Sequence, residues 1–256
     1  MAFMDTRDLF LLEEIVRKNF SSKYKDSILG ILWSVLHPLL MVIVITIVFS
    51  TMLGKGIDNY PVYLISGRCL FFFFTGAIGS SMGVIKGNQN ILKKTGAPKH
   101  IFVLGTIISE FIDFLIQFML LIFIMLATNA PFHFSTMPFA IFPVVCTVFM
   151  VIGFSFIMSI LATYYTDIKH LWGVIRQILM YASALYFVME NIPEPFYSYL
   201  ILNPVFWAVN QFRCFMVFGT FPDLINMFNL LTFSLIVLVL GIIVFKKYED
   251  RVILQL

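Results

Sequence analysis

The chain has 256 residues, 60% of them hydrophobic, 17% aromatic and 12% charged, with a mean hydropathy of +0.95 and a formal net charge of +3. Soluble domains carry about 25% charged residues, so water is excluded as the solvent of the folded chain; the high hydrophobicity and small net charge equally exclude disorder. A charge of +3 is too small to indicate a nucleic-acid partner.

Residues 1–31 precede the first long apolar run. From Leu9 onward, Leu12, Val16, Phe20, Tyr24 and Ile28 recur at three- to four-residue steps, which places them on one helix face with Arg17, Lys18 and Lys25 elsewhere. This predicts an in-plane amphipathic helix at the membrane interface, interrupted near Ser21-Ser22. Glu13 and Lys23 intrude on the apolar side, and the acids among the bases favour a protein partner over a simple anionic-lipid anchor.

A membrane helix needs about 20 apolar residues at about 1.5 Å each, and residues 32–256 offer six such stretches. They are expected near Leu32–Leu53, Pro61–Ile85, Val103–Thr128, Met137–Tyr165, Leu171–Val188 and Phe228–Phe245. The first run begins after a charged N-terminal stretch of about 30 residues and is too long for a signal-peptide core, so the N-terminus is expected to be retained. Thirteen of the seventeen basic residues fall in residues 1–31, the loops after the second and fourth spans, and the tail, whereas the opposite loops offer only Lys55 and Arg213. Both termini are therefore expected on the cytoplasmic side.

The loop between the second and third spans, residues 86–102, holds Lys86, Lys93, Lys94 and Lys99 and no acidic residue. Gly87, Gly96 and Pro98 bracket a short helical piece near Asn90–Thr95. The loop reads either as a plain positive-inside signal or as a docking element for an acidic partner surface or lipid phosphates.

Within the spans, Glu110 and Asp113 share a face of the third, while Arg68 and Arg176 lie in the second and fifth. Mid-bilayer charge costs about 2.5–3.5 kcal/mol on insertion scales. These groups are expected to pair with one another or to reach a boundary, with a substrate contact or an ion relay as the functional alternative; Arg68 is the better placed to meet a substrate. Gly76, Gly79, Gly83 and Gly87 form a stripe of small residues suited to close helix packing. The run Phe71–Phe74 beside it has no periodicity and is expected to face lipid and protein together.

Residues 189–227 join the fifth and sixth spans with two apolar stretches of about ten residues, broken at Asn203-Pro204. Such runs are too short to cross and survive at membrane depth only when surrounded by protein or a water-filled cavity. A re-entrant pair near Pro195–Leu202 and Val205–Phe218 is expected, lining an outer exit.

No catalytic motif stands out. Gly54-Lys55 has Phe49 where a phosphate-binding loop needs its first glycine, and no zinc-protease or nucleophile-elbow pattern is present. His37, His100, His133 and His170 are scattered, and Cys69, Cys146 and Cys214 stand apart, so buried thiols and no metal site are expected. Six spans without catalytic groups describe a transporter or channel subunit whose energy comes from elsewhere.

Three blocks carry a family resemblance: KYKDSILGILWSVLHPLLMVIVITIVF (Lys23 to Phe49), NQNILKKTGAPKHIF (Asn88 to Phe102) and NPVFWAVNQFRCFMVFG (Asn203 to Gly219), with the closing Phe245-Lys246-Lys247-Tyr248-Glu249. In this order they resemble the type-2 ABC transporter permeases that export bacterial polysaccharides; His37 departs from the polar residue expected before Pro38. The resemblance implies an all-α integral membrane protein of the bacterial cytoplasmic membrane. It implies a homodimer with two copies of a separate ATPase that binds ATP and magnesium, this chain being non-catalytic and holding no cofactor. The substrate implied is a glycan on a polyprenyl-pyrophosphate lipid, as for O-antigen, teichoic acid or capsule. Lys18, Lys23, Lys25, Asn90, Lys93, Lys94 and Lys99 become the expected ATPase-coupling residues. Pro195, Phe196, Asn203, Pro204, Phe206, Trp207 and Arg213 become the outer gate. Because sugar rings pack their apolar faces on aromatic side chains, Trp33, Tyr164, Tyr181, Tyr186 and Phe187, with Arg68, are expected along the passage. Competing readings are an ATP-driven exporter of drugs or small lipids, and a secondary transporter using Glu110 and Asp113.

Overall fold

The computed structural model describes residues 6–24, 29–49, 57, 59–187, 200 and 203–252, and all regular structure among them is helical. In chain order the helices are α1 (Thr6–Tyr24), α2 (Trp33–Phe49), α3 (Tyr60–Gly87), α4 (Gln89–Thr95), α5 (Lys99–Ala127), α6 (Ile141–Tyr164), α7 (Ile168–Ala182), α8 (Pro204–Arg213) and α9 (Leu224–Val252). A 3₁₀ turn, Met137–Ala140, leads into α6, and a π turn, Cys214–Phe218, extends α8. Four segments are long and apolar enough to cross a bilayer: Tyr60–Gly87, Lys99–Ala127, Met137–Tyr164 and Leu224–Val252. The chain is a multi-pass membrane protein.

The long helices run antiparallel, and the hairpin through α4 marks one end of the bundle. An ion pair at 3.3 Å between Lys99 Nζ at the start of α5 and Asp250 Oδ1 near the end of α9 puts the C-terminal helix end there too. This basic end also receives α1. Capping explains the sharp turns: the Gly96 backbone at φ +61° closes α4, where a side chain would be strained. The Asn59 carboxamide oxygen accepts from the Val62 N–H at the other end of the hairpin, with Pro61 in the first turn of α3.

Helix α3 is the central post. It packs on α5, α6 and α8, and Phe71, Phe73 and Phe74 are all buried in protein. This corrects the expectation that the phenylalanine run divides between lipid and protein: a helix enclosed on nearly all sides needs no amphipathic period. Helices α6 and α9 cross backbone to backbone, since a Cβ on Gly153 would clash with the Val237 carbonyl and one on Gly241 with Gly153 itself. By contrast Leu40, Ile43, Val44 and Ile47 of α2 and Phe228, Ile236, Val239 and Ile243 of α9 are exposed, the apolar outer surface that lipid requires.

Two expected elements are shorter than predicted. Helix α2 has 17 residues, and the last residues of the predicted first span lie outside the described ones. Helix α7, predicted as Leu171–Val188, has 15 residues, about 22 Å at 1.5 Å per residue. It ends because tertiary partners claim its carbonyls, and Ala184 turns to φ +48°. The N-terminal helix in turn continues through Ser21-Ser22: the Ser22 hydroxyl donates back to the Lys18 carbonyl at 2.5 Å and does not break the helix.

Candidate functional site

Helix α1 lies across α5 with Ile15 buried in the notch left by Gly105, where a Cβ would come within 2.6 Å of Ile15 Cγ2. One turn on, Asn19 Nδ2 donates to Thr106 Oγ1 at 3.4 Å. One more turn brings Lys23 Nζ to Glu110 Oε1 at 2.8 Å and to Asp113 Oδ2 at 2.5 Å. The Ser80 hydroxyl of α3 also donates to Glu110 Oε1 at 2.8 Å. The docking line of α1 is therefore Ile15, Asn19, Lys23, whereas Leu9, Val16 and Phe20 border an open groove against Ile108 and Ile112. The predicted apolar face sits at the edge of the contact because α5 offers polar partners that a hydrophobic count ignores. Burial by itself would lower the pKa of the Lys23 ammonium, but the Glu110 and Asp113 carboxylates outweigh it and hold it above the ordinary lysine value.

This cluster forms one wall of a cleft of about 460 Å³ between α1, α2, α3 and α5, within the range of about 300–1,000 Å³ common for ligand pockets. Trp33, Ser34, His37 and Pro38 contribute from α2, Arg68, Phe72 and Gly76 from α3, and Gln117 from α5. Arg68 is 5% exposed, its Nε has no hydrogen-bond partner, and its guanidinium lies 4.3 Å from the centre of the Phe72 ring. Arg176, exposed on α7, approaches the same ring at 5.3 Å. The expected pairing of the four intramembrane charges with one another is thus corrected. The acids take Lys23 from α1, and the two arginines share an aromatic ring. The glycine stripe has a related use: Gly76 makes room for Glu110, Gly79 for Trp172 and Gly83 for Lys169, so it admits side chains more than it joins backbones.

A second constellation occupies the far end. Arg213, 2% exposed, donates from Nη1 to the Ala184 carbonyl at 2.8 Å and to the Tyr63 hydroxyl at 2.9 Å, and from Nη2 to the Leu185 carbonyl at 3.1 Å. Its guanidinium stands 3.6 Å from the Tyr63 ring centre, in space that a side chain at Gly67 would fill. Tyr63 in turn donates to the Phe187 carbonyl at 2.7 Å, Tyr60 to the Tyr186 carbonyl at 2.9 Å, and Asn203 Nδ2 to the Ala182 carbonyl at 3.0 Å. The end of α7 is thereby fastened to α3 and α8. Helix α8 is held at the same end of the bundle, where the Thr136 hydroxyl donates to the Phe215 carbonyl at 2.8 Å and Gly219, at φ +65°, passes beneath His133.

Of the expected passage residues, Trp33 and Arg68 meet in the cleft. Tyr186 is half-buried beside Arg68 and Phe187 follows it, Tyr181 is exposed on α7, and Tyr164 stands apart at the basic end of α6. Of the expected coupling residues, Asn90, Lys93 and Lys94 are exposed on α4. Lys18 reaches Asn88 Oδ1 at 3.4 Å. Lys23 and Lys99 are turned elsewhere, the first to Glu110 and Asp113 and the second to Asp250 with its own side chain buried. Lys25, Pro195 and Phe196 lie outside the described residues. Asn203, Phe206 and Arg213 are buried, while Pro204 and Trp207 are half-buried. Gln117 and Ser80 were missed by sequence reasoning; the available signal was an amide four residues from Asp113 and a hydroxyl between the stripe glycines Gly79 and Gly83.

A membrane-embedded helical bundle with a polar cleft between its helices is the architecture of a permease. Residues 11–217 match the ABC-2 type transporter family, and the chain belongs to that family. It is 26% identical over 94% of its length to the O-antigen export system permease protein RfbA of Klebsiella pneumoniae, covering 93% of that protein. It is 20% identical to the Myxococcus xanthus protein of the same description, covering 94% of this chain and 93% of that one. With the polysialic acid transport protein KpsM of Escherichia coli it shares 19% identity over 94% of this chain and 95% of the other.

Proposed function

We propose that this chain is the permease subunit of an ATP-driven exporter that carries a polyprenyl-pyrophosphate-linked polysaccharide of O-antigen, teichoic acid or capsule type across the bacterial cytoplasmic membrane. The observation that carries the reading is similarity over 94% of the chain to permeases of O-antigen and polysialic acid export. The subunit works as a homodimer with two copies of a cytoplasmic ATPase, which bind ATP and magnesium, and both its termini face the cytoplasm. The exposed Asn90, Lys93 and Lys94 of α4 at the basic end support an ATPase-facing role; α1, which rests on α5 beside them, would pass motion to the bundle. At the far end α8 forms part of an outer gate with Asn203, Pro204, Phe206, Trp207 and Arg213, completed by Pro195 and Phe196. Trp33, Arg68, Tyr181, Tyr186 and Phe187 line the passage, with Tyr164 at its basic end.

Deletion of the gene is expected to remove the surface polysaccharide and to leave its lipid-linked form inside the cell. In proteoliposomes with the partner ATPase, that lipid-linked glycan should stimulate ATP turnover. Stimulation by small lipids or drugs but not by the glycan would replace this reading with the other exporter class.

A further inference from the structure

Charge, side-chain chemistry and continuity together define what the cleft between α1, α2, α3 and α5 can hold. Its fixed charges balance, since Lys23 and Arg68 are cations and Glu110 and Asp113 are carboxylates. An anionic ligand would leave an uncompensated charge in a region of low dielectric, whereas a neutral ligand would not. The side chains mix an exposed indole, Trp33 at 41%, with groups that donate and accept: the Gln117 carboxamide, the Ser34 hydroxyl, the His37 imidazole and the buried, unpartnered Arg68 Nε. A flat apolar surface beside planar polar groups is what a polyhydroxylated ring requires, because its C–H face stacks on the aromatic while its hydroxyls pair at the edge.

The cleft also continues toward the basic end. A second cavity of about 220 Å³ shares Lys23 and Glu110 with it and is lined by Gly83, Val84 and a polar set, Asn19, Ser22, Ser80, Asn88, Thr106 and Ser109. All six are hydroxyl or amide side chains. The two cavities therefore adjoin, a more apolar one holding Trp33 and Phe72 and a more polar one, divided where Lys23 holds the carboxylates and Ser80 holds Glu110.

We propose that this cleft is a saccharide subsite: a neutral sugar ring lies on Trp33 and its hydroxyls are hydrogen-bonded by Glu110, Asp113 and Gln117. Lys23 keeps the two carboxylates oriented toward the cleft when no sugar is present. The assignment rests on the glycan-export reading and adds to it a place, a ligand charge and three hydrogen-bonding residues. Gly76 belongs to the arrangement, since a Cβ there would come within 3.0 Å of Glu110 Oε2 and push the carboxylate aside.

The test uses the full chain with its ATPase in native membranes. Trp33→Ala and Gln117→Leu are each expected to lower surface glycan at least fivefold at equal membrane levels of the chain, and Trp33→Phe, which keeps an aromatic face, to retain at least half. Loss in Trp33→Phe equal to that in Trp33→Ala, or wild-type export in Trp33→Ala, overturns the subsite. A second measurement keeps Trp33 and Gln117 in place. In a Ser34→Cys chain carrying Cys214→Ser, neutral oligosaccharide released from the host's own glycan should slow labelling by an uncharged maleimide at least threefold, while inorganic pyrophosphate leaves it unchanged. No slowing by the oligosaccharide, or slowing by pyrophosphate alone, overturns the proposal. Surface glycan that persists after gene deletion would instead fell the export reading, an outcome distinct from either.

Discussion

Two cations are held inside this bundle by different means. At the basic end Lys23 is shared by two carboxylates that are 12% and 17% exposed, its own side chain being 33% exposed. At the far end Arg213 is 2% exposed and is held by two carbonyls, a hydroxyl and a tyrosine ring. A carbonyl cradle at the end of a helix uses partial charges fixed in the backbone, so it fastens one conformation. An ion pair between side chains on separate helices can be exchanged for other hydrogen-bonding partners. The far end holds α7 and α8 through partners fixed in the backbone, and the basic end holds α1 to α5 through side chains alone.

Substitutions should separate these two designs. Arg213→Leu is expected to act most strongly, because it strips the Leu185 carbonyl and the Tyr63 hydroxyl of their donor and leaves the Ala184 carbonyl with the Tyr63 hydroxyl alone; at about 1–3 kcal/mol for each of the two orphaned groups, roughly 2–6 kcal/mol is lost. At about 2–4 °C per kcal/mol for a chain of this size, the melting temperature of the purified protein should then fall by roughly 4–24 °C. An unchanged melting temperature would show that the cradle is not what fastens α7. Gly105→Leu comes next: the new side chain occupies the notch of Ile15, and overpacking of about 1–3 kcal/mol should lift α1 off α5. Protease cleavage within α1 should then rise severalfold while α3 and α6 stay protected.

Lys23→Ala should be the mildest, at about 1 kcal/mol once solvent screening is allowed for, and should loosen α1 without lowering the melting of the long helices. Its pH signature has a definite sign. Lys23 titrates above its ordinary value, so the stability it adds is complete below the ordinary lysine range and is lost only as the pH climbs through the raised value. Protection of α1 from cleavage should accordingly be flat between about pH 7 and 9 and decline only above the ordinary lysine pKa of about 10.4. A decline already near pH 8 would contradict the pairing.

Much of this organisation is legible in the residues alone. Gly87, Gly96 and Pro98 bracketed a helix near Asn90–Thr95, and α4 occupies Gln89–Thr95. Asn203-Pro204 broke the two apolar stretches ahead of a helix expected from Val205, and α8 begins there with the Asn203 side chain accepting from the Val205 N–H at 3.0 Å. Local backbone chemistry decides both, so a single stretch of sequence contains the answer. Lys23 is the opposite case. On a helical wheel it intruded on an apolar face, yet it is among the residues that dock α1, because Glu110 and Asp113 wait 87 and 90 positions further along the chain.

The sequence by itself determined that the chain lives in a bilayer, where its long helices run and which end gathers the basic residues, since solvent transfer and capping act locally. Only the tertiary structure decided which charges meet, that α7 stops at Ala182, and that the glycines of α3 admit side chains from α5 and α7. Each of those depends on the approach of segments far apart in the chain, and hydrogen bonds and ion pairs act over a few ångströms that no spacing along one helix encodes.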